Sequence, residues 1–129
     1  MDFLDEITLT GVRAFGRHGV FEQERRDGQT FVVDTTLYLQ TSTAAASDDV
    51  ADTVDYGELA ERVVEIVEGD PVDLIETLAA RLADDILMNH RPVQMVAVTV
   101  HKPDAPIPVP FDDVAVTVRR GRVGSGADA

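Results

Sequence analysis

The chain has 129 residues, no cysteine, and 24 acidic against 11 basic side chains, for a net charge of −13. That length suits one domain with a modest core, and the acidic surface argues against a nucleic-acid partner, since a phosphate backbone would be repelled. Disulfides and thiolate chemistry are excluded, no apolar run approaches the roughly 18 residues of a membrane span, and the acidic start has no secretory stretch, a pattern that fits the cytoplasm.

In chain order, Glu6 to Ala14 reads as a weakly alternating strand through Ile7 and Leu9. A segment too long for a tight turn follows, with Gly16 and Gly19 flanking His18 and suggesting sharp backbone geometry. Gln29 to Thr41 alternates clearly: Phe31, Val33, Thr35, Leu37 and Leu39 line one side, and Asp34, Thr36 and Tyr38 the other. Ala44 to Thr53 is small, acidic and loop-like. Tyr56, Leu59, Ala60, Val63, Val64 and Val67 then share one helical face, which Gly69-Asp70-Pro71 stops. A second helix begins after Asp73, buries Ile75, Leu78, Ala79, Leu82 and Ile86, and ends near Asn89-His90-Arg91-Pro92.

Two more strands, Val93 to Lys102 and Asp112 to Arg120, flank a stiff connection with four of the six prolines. Residues 1–122 are expected as a single domain and the glycine-rich residues 123–129 as a flexible tail. The order β-β-α-α-β-β predicts an α+β fold, a four-stranded antiparallel sheet with two helices on one face. Four strands leave two open edges. The long alternation of Gln29 to Thr41, if it lies on an edge, invites pairing with another copy.

Lys102 is the only lysine beside ten arginines. It falls in phase with Val96, Val98 and Val100, at the end of a valine row. A lysine there can simply snorkel to solvent, or it can be desolvated and trade protons as an arginine cannot. Glu76 has two readings as well. Asp73-Leu74-Ile75-Glu76 fits a capping box, with Asp73 as N-cap. A first-turn carboxylate can equally accept two parallel N–H bonds from a planar heterocycle. Tyr56 reads as part of the apolar helical face, and Glu24, among Glu22, Arg25, Arg26 and Asp27, as a solvated charge. His18, His90 and His101 lack metal-ligand spacing, and neither a phosphate loop nor a nucleophile elbow is found.

The combination of Gly16-Arg17-His18-Gly19 with Glu24 downstream, the run Ser47 to Tyr56, Leu74-Ile75-Glu76, and His101-Lys102-Pro103 followed by Ala105-Pro106-Ile107-Pro108 resembles bacterial dihydroneopterin aldolase. The likeness extends from Ile7 to Arg120 with every motif in order. It implies the tunnelling fold, in which a ring of four subunits closes a barrel, two rings commonly stack as an octamer, and the active sites lie between subunits.

By position, the resemblance implies that Glu76 anchors the pterin amino and ring N–H groups, with the Ile75-Glu76 backbone alongside. Lys102 becomes the general acid/base, and Glu24 faces the substrate. Tyr56 arrives from the adjacent subunit, with Val54 and Asp55 near the ring through main chain. The implied reaction is the cofactor-free and metal-free retro-aldol cleavage of 7,8-dihydroneopterin, with epimerisation at C2′ as a side activity. Three alternatives remain: an epimerase of the same fold acting on the triphosphate, for which Arg17, Arg25 and Arg26 are the available cations, a non-catalytic pterin-binding protein, and a structural oligomer.

Overall fold

The computed structural model describes residues 3–122. Their elements in chain order are β1 (Asp5–Gly16), α1 (Glu22–Asp27), β2 (Gln29–Leu39), α2 (Ser42–Ser47), a 3-10 turn (Val50–Asp52), α3 (Tyr56–Glu68), α4 (Ile75–Asn89), β3 (Met95–His101) and β4 (Ala115–Gly121). The four strands make one antiparallel sheet in the order β1-β2-β3-β4. None of the described helices is long and apolar enough to cross a membrane.

Strict alternation builds the layered core. Phe31, Val33, Leu37 and Leu39 of β2 and Val96, Val98 and Val100 of β3 are wholly buried on one sheet face. Two helices cover that face: α3 lies against β1, and α4 against β3 and β4. They contribute Leu59, Val63 and Val67, and Leu78, Leu82 and Ile86, at helical spacing. Each large side chain so enclosed stabilises the fold by roughly 1.5–3 kcal/mol.

The structure refines or changes several sequence expectations. The strand over Gln29 to Thr41 is interior, and the open edges belong to β1 and β4. Both faces of β2 need neighbours, because Val32, Asp34 and Thr36 are themselves half-buried. The long first connection contains α1, and the supposed loop from Ala44 folds into α2 and the 3-10 turn, pieces too short to show a hydrophobic period. The fourth strand starts at Ala115 rather than Asp112, because the preceding residues return from the proline-rich connection. The predicted tail, residues 123–129, lies outside the described residues.

Candidate active site

Lys102 follows β3 directly and keeps the inward parity of the valines. Its Nζ lies 2.6 Å from Glu24 Oε2, with side-chain exposures of only 13% and 6%. Glu24 is thus not the solvated charge expected of its neighbourhood, and Lys102 does not snorkel away. The Glu24 carboxylate also accepts hydrogen bonds from Phe21 N–H at 3.2 Å and Gln29 Nε2 at 3.0 Å. Burial alone pushes its pKa up, but the Lys102, Gln29 and Phe21 donors together outweigh burial and hold it below the ordinary carboxylate value.

The geometry of Gly16-Arg17-His18-Gly19 explains how Glu24 reaches inward. A Cβ on Gly19 would stand 2.3 Å from the Glu24 carboxyl carbon, so only glycine leaves room for that side chain. His18 is fully buried. Its Nδ1 accepts from Val72 N–H at 3.1 Å while Nε2–H donates to Val67 O at 2.7 Å, which fixes one neutral tautomer. Burial pushes its pKa down, and the bond to Val67 opposes this only in part. Together with Gly19 N–H donating to Val72 O at 2.9 Å, the ring latches the loop carrying Glu24 to the turn that leads into α4.

At the start of α4 the predicted capping box is absent. Leu74 occupies the N-cap without any side-chain bond, and Asp73 instead pairs with Arg25. A guanidinium from another segment gives Asp73 a charged partner that a local cap does not. Glu76 is therefore left exposed in the first turn, its carboxylate not spent on capping. Glu24, Ile75, Glu76 and Lys102 line a single cleft of about 320 Å³, walled by Leu74, Ala105, Pro106 and Ile107. That volume lies at the small end of the roughly 300–1,000 Å³ typical of small-molecule sites.

Val54, Asp55 and Tyr56 stand elsewhere, around a separate hollow of about 440 Å³. Tyr56 is 66% exposed rather than packed in the core, since the buried stripe of α3 begins one turn later at Leu59. Asp55 serves as the N-cap of α3, its Oδ1 accepting from Gly57 and Glu58 N–H. Among the described residues, no three His, Asp or Glu side chains are arranged to hold a metal ion.

Gln29 escaped the sequence reading. It is 9% exposed, its Nε2 holds Glu24, and its Oε1 has no partner among the described residues. The signal was present: Gln29 shares the inward parity of Phe31 and Val33, where a polar residue needs a reason.

The sequence model of the dihydroneopterin aldolase family matches residues 7–119. The dihydroneopterin aldolase of Streptomyces coelicolor is 58% identical over 120 residues, which cover 93% of this chain and 100% of that protein. Among solved structures, E. coli dihydroneopterin aldolase in complex with neopterin aligns with a TM-score of 0.80 at 31% identity, covering 91% of this chain and 99% of that one. The enzyme from Burkholderia thailendensis bound to guanine aligns with a TM-score of 0.73 at 25% identity, covering 92% of each chain. Matched along nearly its whole described length, this chain belongs to the dihydroneopterin aldolase family.

Proposed function

We propose that this chain is a 7,8-dihydroneopterin aldolase of folate biosynthesis, a carbon–carbon lyase releasing 6-hydroxymethyl-7,8-dihydropterin and glycolaldehyde. The observation that carries the reading is the shared cleft, where the open Glu76 carboxylate and the enclosed Lys102–Glu24 pair face one space. Neopterin and guanine, bound by the two structural relatives, both carry an amino group beside a ring N–H. A carboxylate such as Glu76 meets that edge with two parallel hydrogen bonds, supported by the Ile75-Glu76 backbone.

The substrate supplies its own electron sink. Protonation of ring N5 lets the N5=C6 imine accept the electron pair of the C1′–C2′ bond once the 2′-hydroxyl loses its proton. Glycolaldehyde departs, C1′ is protonated, and N5 gives back its proton to restore the imine. Lys102 would move these protons, with Glu24 holding its ammonium and Tyr56 assisting through its hydroxyl or a water. Re-forming the C1′–C2′ bond on the opposite face of the glycolaldehyde carbonyl gives the C2′ epimer, a side activity. An epimerase working on the triphosphate fits less well, because none of the three candidate cations lines the cleft and each is engaged: Arg25 with Asp73 and the Gly19 carbonyl, Arg26 with Asp27, and Arg17 with the carbonyls of Arg25 and Arg26. A non-catalytic pterin-binding protein would have no use for a buried Lys102–Glu24 pair.

The site is read as completed by a neighbouring copy, in a tetrameric ring and a stacked octamer. Two features support this: the open β1 and β4 edges, and the placement of Tyr56, Val54 and Asp55 away from the cleft. Incubation with 7,8-dihydroneopterin is expected to release glycolaldehyde, with the triphosphate a far poorer substrate; pterin binding without glycolaldehyde would sink the aldolase reading. Tyr56→Phe and Lys102→Ala chains, each poorly active, are expected to regain about a quarter of wild-type turnover when refolded together. No recovery in verified mixed oligomers would place both residues in one subunit's site.

A further inference from the structure

His101, the residue before Lys102, points to the opposite face of the sheet. Its Nε2 lies 2.7 Å from Asp34 Oδ2 and its Nδ1 lies 2.7 Å from Asp113 Oδ2. A neutral imidazole has one N–H and can donate to only one carboxylate, so bonds at both nitrogens describe the imidazolium. The three side chains are about one-third exposed or less. Asp34 extends the chain of bonds, its Oδ1 accepting from Gly11 N–H at 2.7 Å, within the irregularity of β1 between Leu9 and Val12. Three strands and the segment entering β4 thus meet at one ring.

That ring stands at the foot of the proline-rich connection. Lys102 N–H donates to Val114 O at 2.8 Å, and His101 grips the adjoining Asp113, so both ends of residues 103–114 are clamped there. Four prolines in that connection cannot donate backbone bonds. Its Ala105, Pro106 and Ile107 form a wall of the cleft. We propose that charged His101 is a positioning residue, which clamps the foot of this wall and keeps the cleft in its pterin-binding geometry.

The charged groups facing His101 are Asp34 on β2, Asp113 ahead of β4 and, two strands away on β1, Arg13, turned toward the Gly11 carbonyl at 3.2 Å. On β4 its direct partner is the uncharged Ala115, and on β3 its same-face neighbours are Thr99 and Ala97. The two carboxylates, Asp113 first and Asp34 next, raise the His101 pKa, and partial burial opposes them more weakly. While the two aspartates stay ionised, the clamp is therefore fully present below the ordinary histidine value of 6.5 and is lost as pH rises through the raised value.

The inference rests on the aldolase reading, and its test keeps the two apart. The pH dependence of kcat/KM is measured beside the NMR titration of the His101 ring in the wild-type chain, in Asp113→Asn and in Asp113→Glu. In the wild type, the alkaline fall of kcat/KM is expected to track the His101 titration. Asp113→Asn should move both down by about one pH unit, mainly through KM, and Asp113→Glu should restore both. A wild-type alkaline limb unrelated to the ring titration overturns the proposal, even if Asp113→Asn fails to fold. A shifted titration with an unmoved limb also overturns it. Absence of turnover in the wild type counts against the aldolase reading instead, and neopterin affinity against pH then replaces kcat/KM as the deciding readout.

Discussion

Glu24 and Glu76 line the same cleft but are held in opposite ways. Glu24 is buried, and three donors from its own chain already occupy its carboxylate. Glu76 stands exposed at the first turn of α4, with capping left to backbone alone. The contrast matches the two roles proposed for them. A carboxylate that must steady an ammonium through a reaction is built into the core, and one that must receive a ligand is left open. Desolvating a charge is costly unless it is paired, so the buried position is tolerable only because Lys102 is there.

The largest effect that could break this division is at Lys102. Lys102→Ala is expected to cut turnover by about a hundred- to ten-thousand-fold while neopterin affinity, measured by fluorescence titration, stays nearly unchanged. A parallel loss of affinity would move Lys102 from chemistry to binding. Next in size, Glu76→Ala should weaken neopterin by about a hundredfold through two lost charge-assisted bonds, with thermal stability altered by less than about 0.5 kcal/mol.

Glu24→Ala should show the reverse signature, destabilising the fold by about 3 kcal/mol because it strands Lys102 in a buried position. The pH sign follows from the lowered pKa of Glu24. Its contribution is fully present above the ordinary value of 4.5 and is lost as pH falls through the lower folded value. Acid unfolding of Glu24→Ala should accordingly be shallower than that of the wild type in that window. Equal acid sensitivity of the two proteins, followed by circular dichroism, would show that the pair adds nothing to the fold.

Much of this was legible in the chain. The alternation of Phe31 to Leu39 and the helical spacing of Leu59, Val63 and Val67 located the core faces, because a period of two or 3.6 is a local property. The inward phase of Lys102 was visible for the same reason. Asp73 was misread because its best partner, Arg25, lies in another segment. Tyr56 was misread because periodicity marks a face but not where its burial ends. Gln29 was overlooked although its parity pointed inward.

By itself, the order of residues determined the α+β class, the succession of long elements, the motifs that mark the family, and the side of β3 on which its lysine falls. Each depends on spacing along a backbone of known geometry. Only the tertiary structure decided which strands became edges, that His18 joins two loops, that Glu24 pairs with Lys102, and that His101 grips two aspartates. Those outcomes depend on distances between segments far apart in sequence, where burial and competition among charged partners choose the pairs.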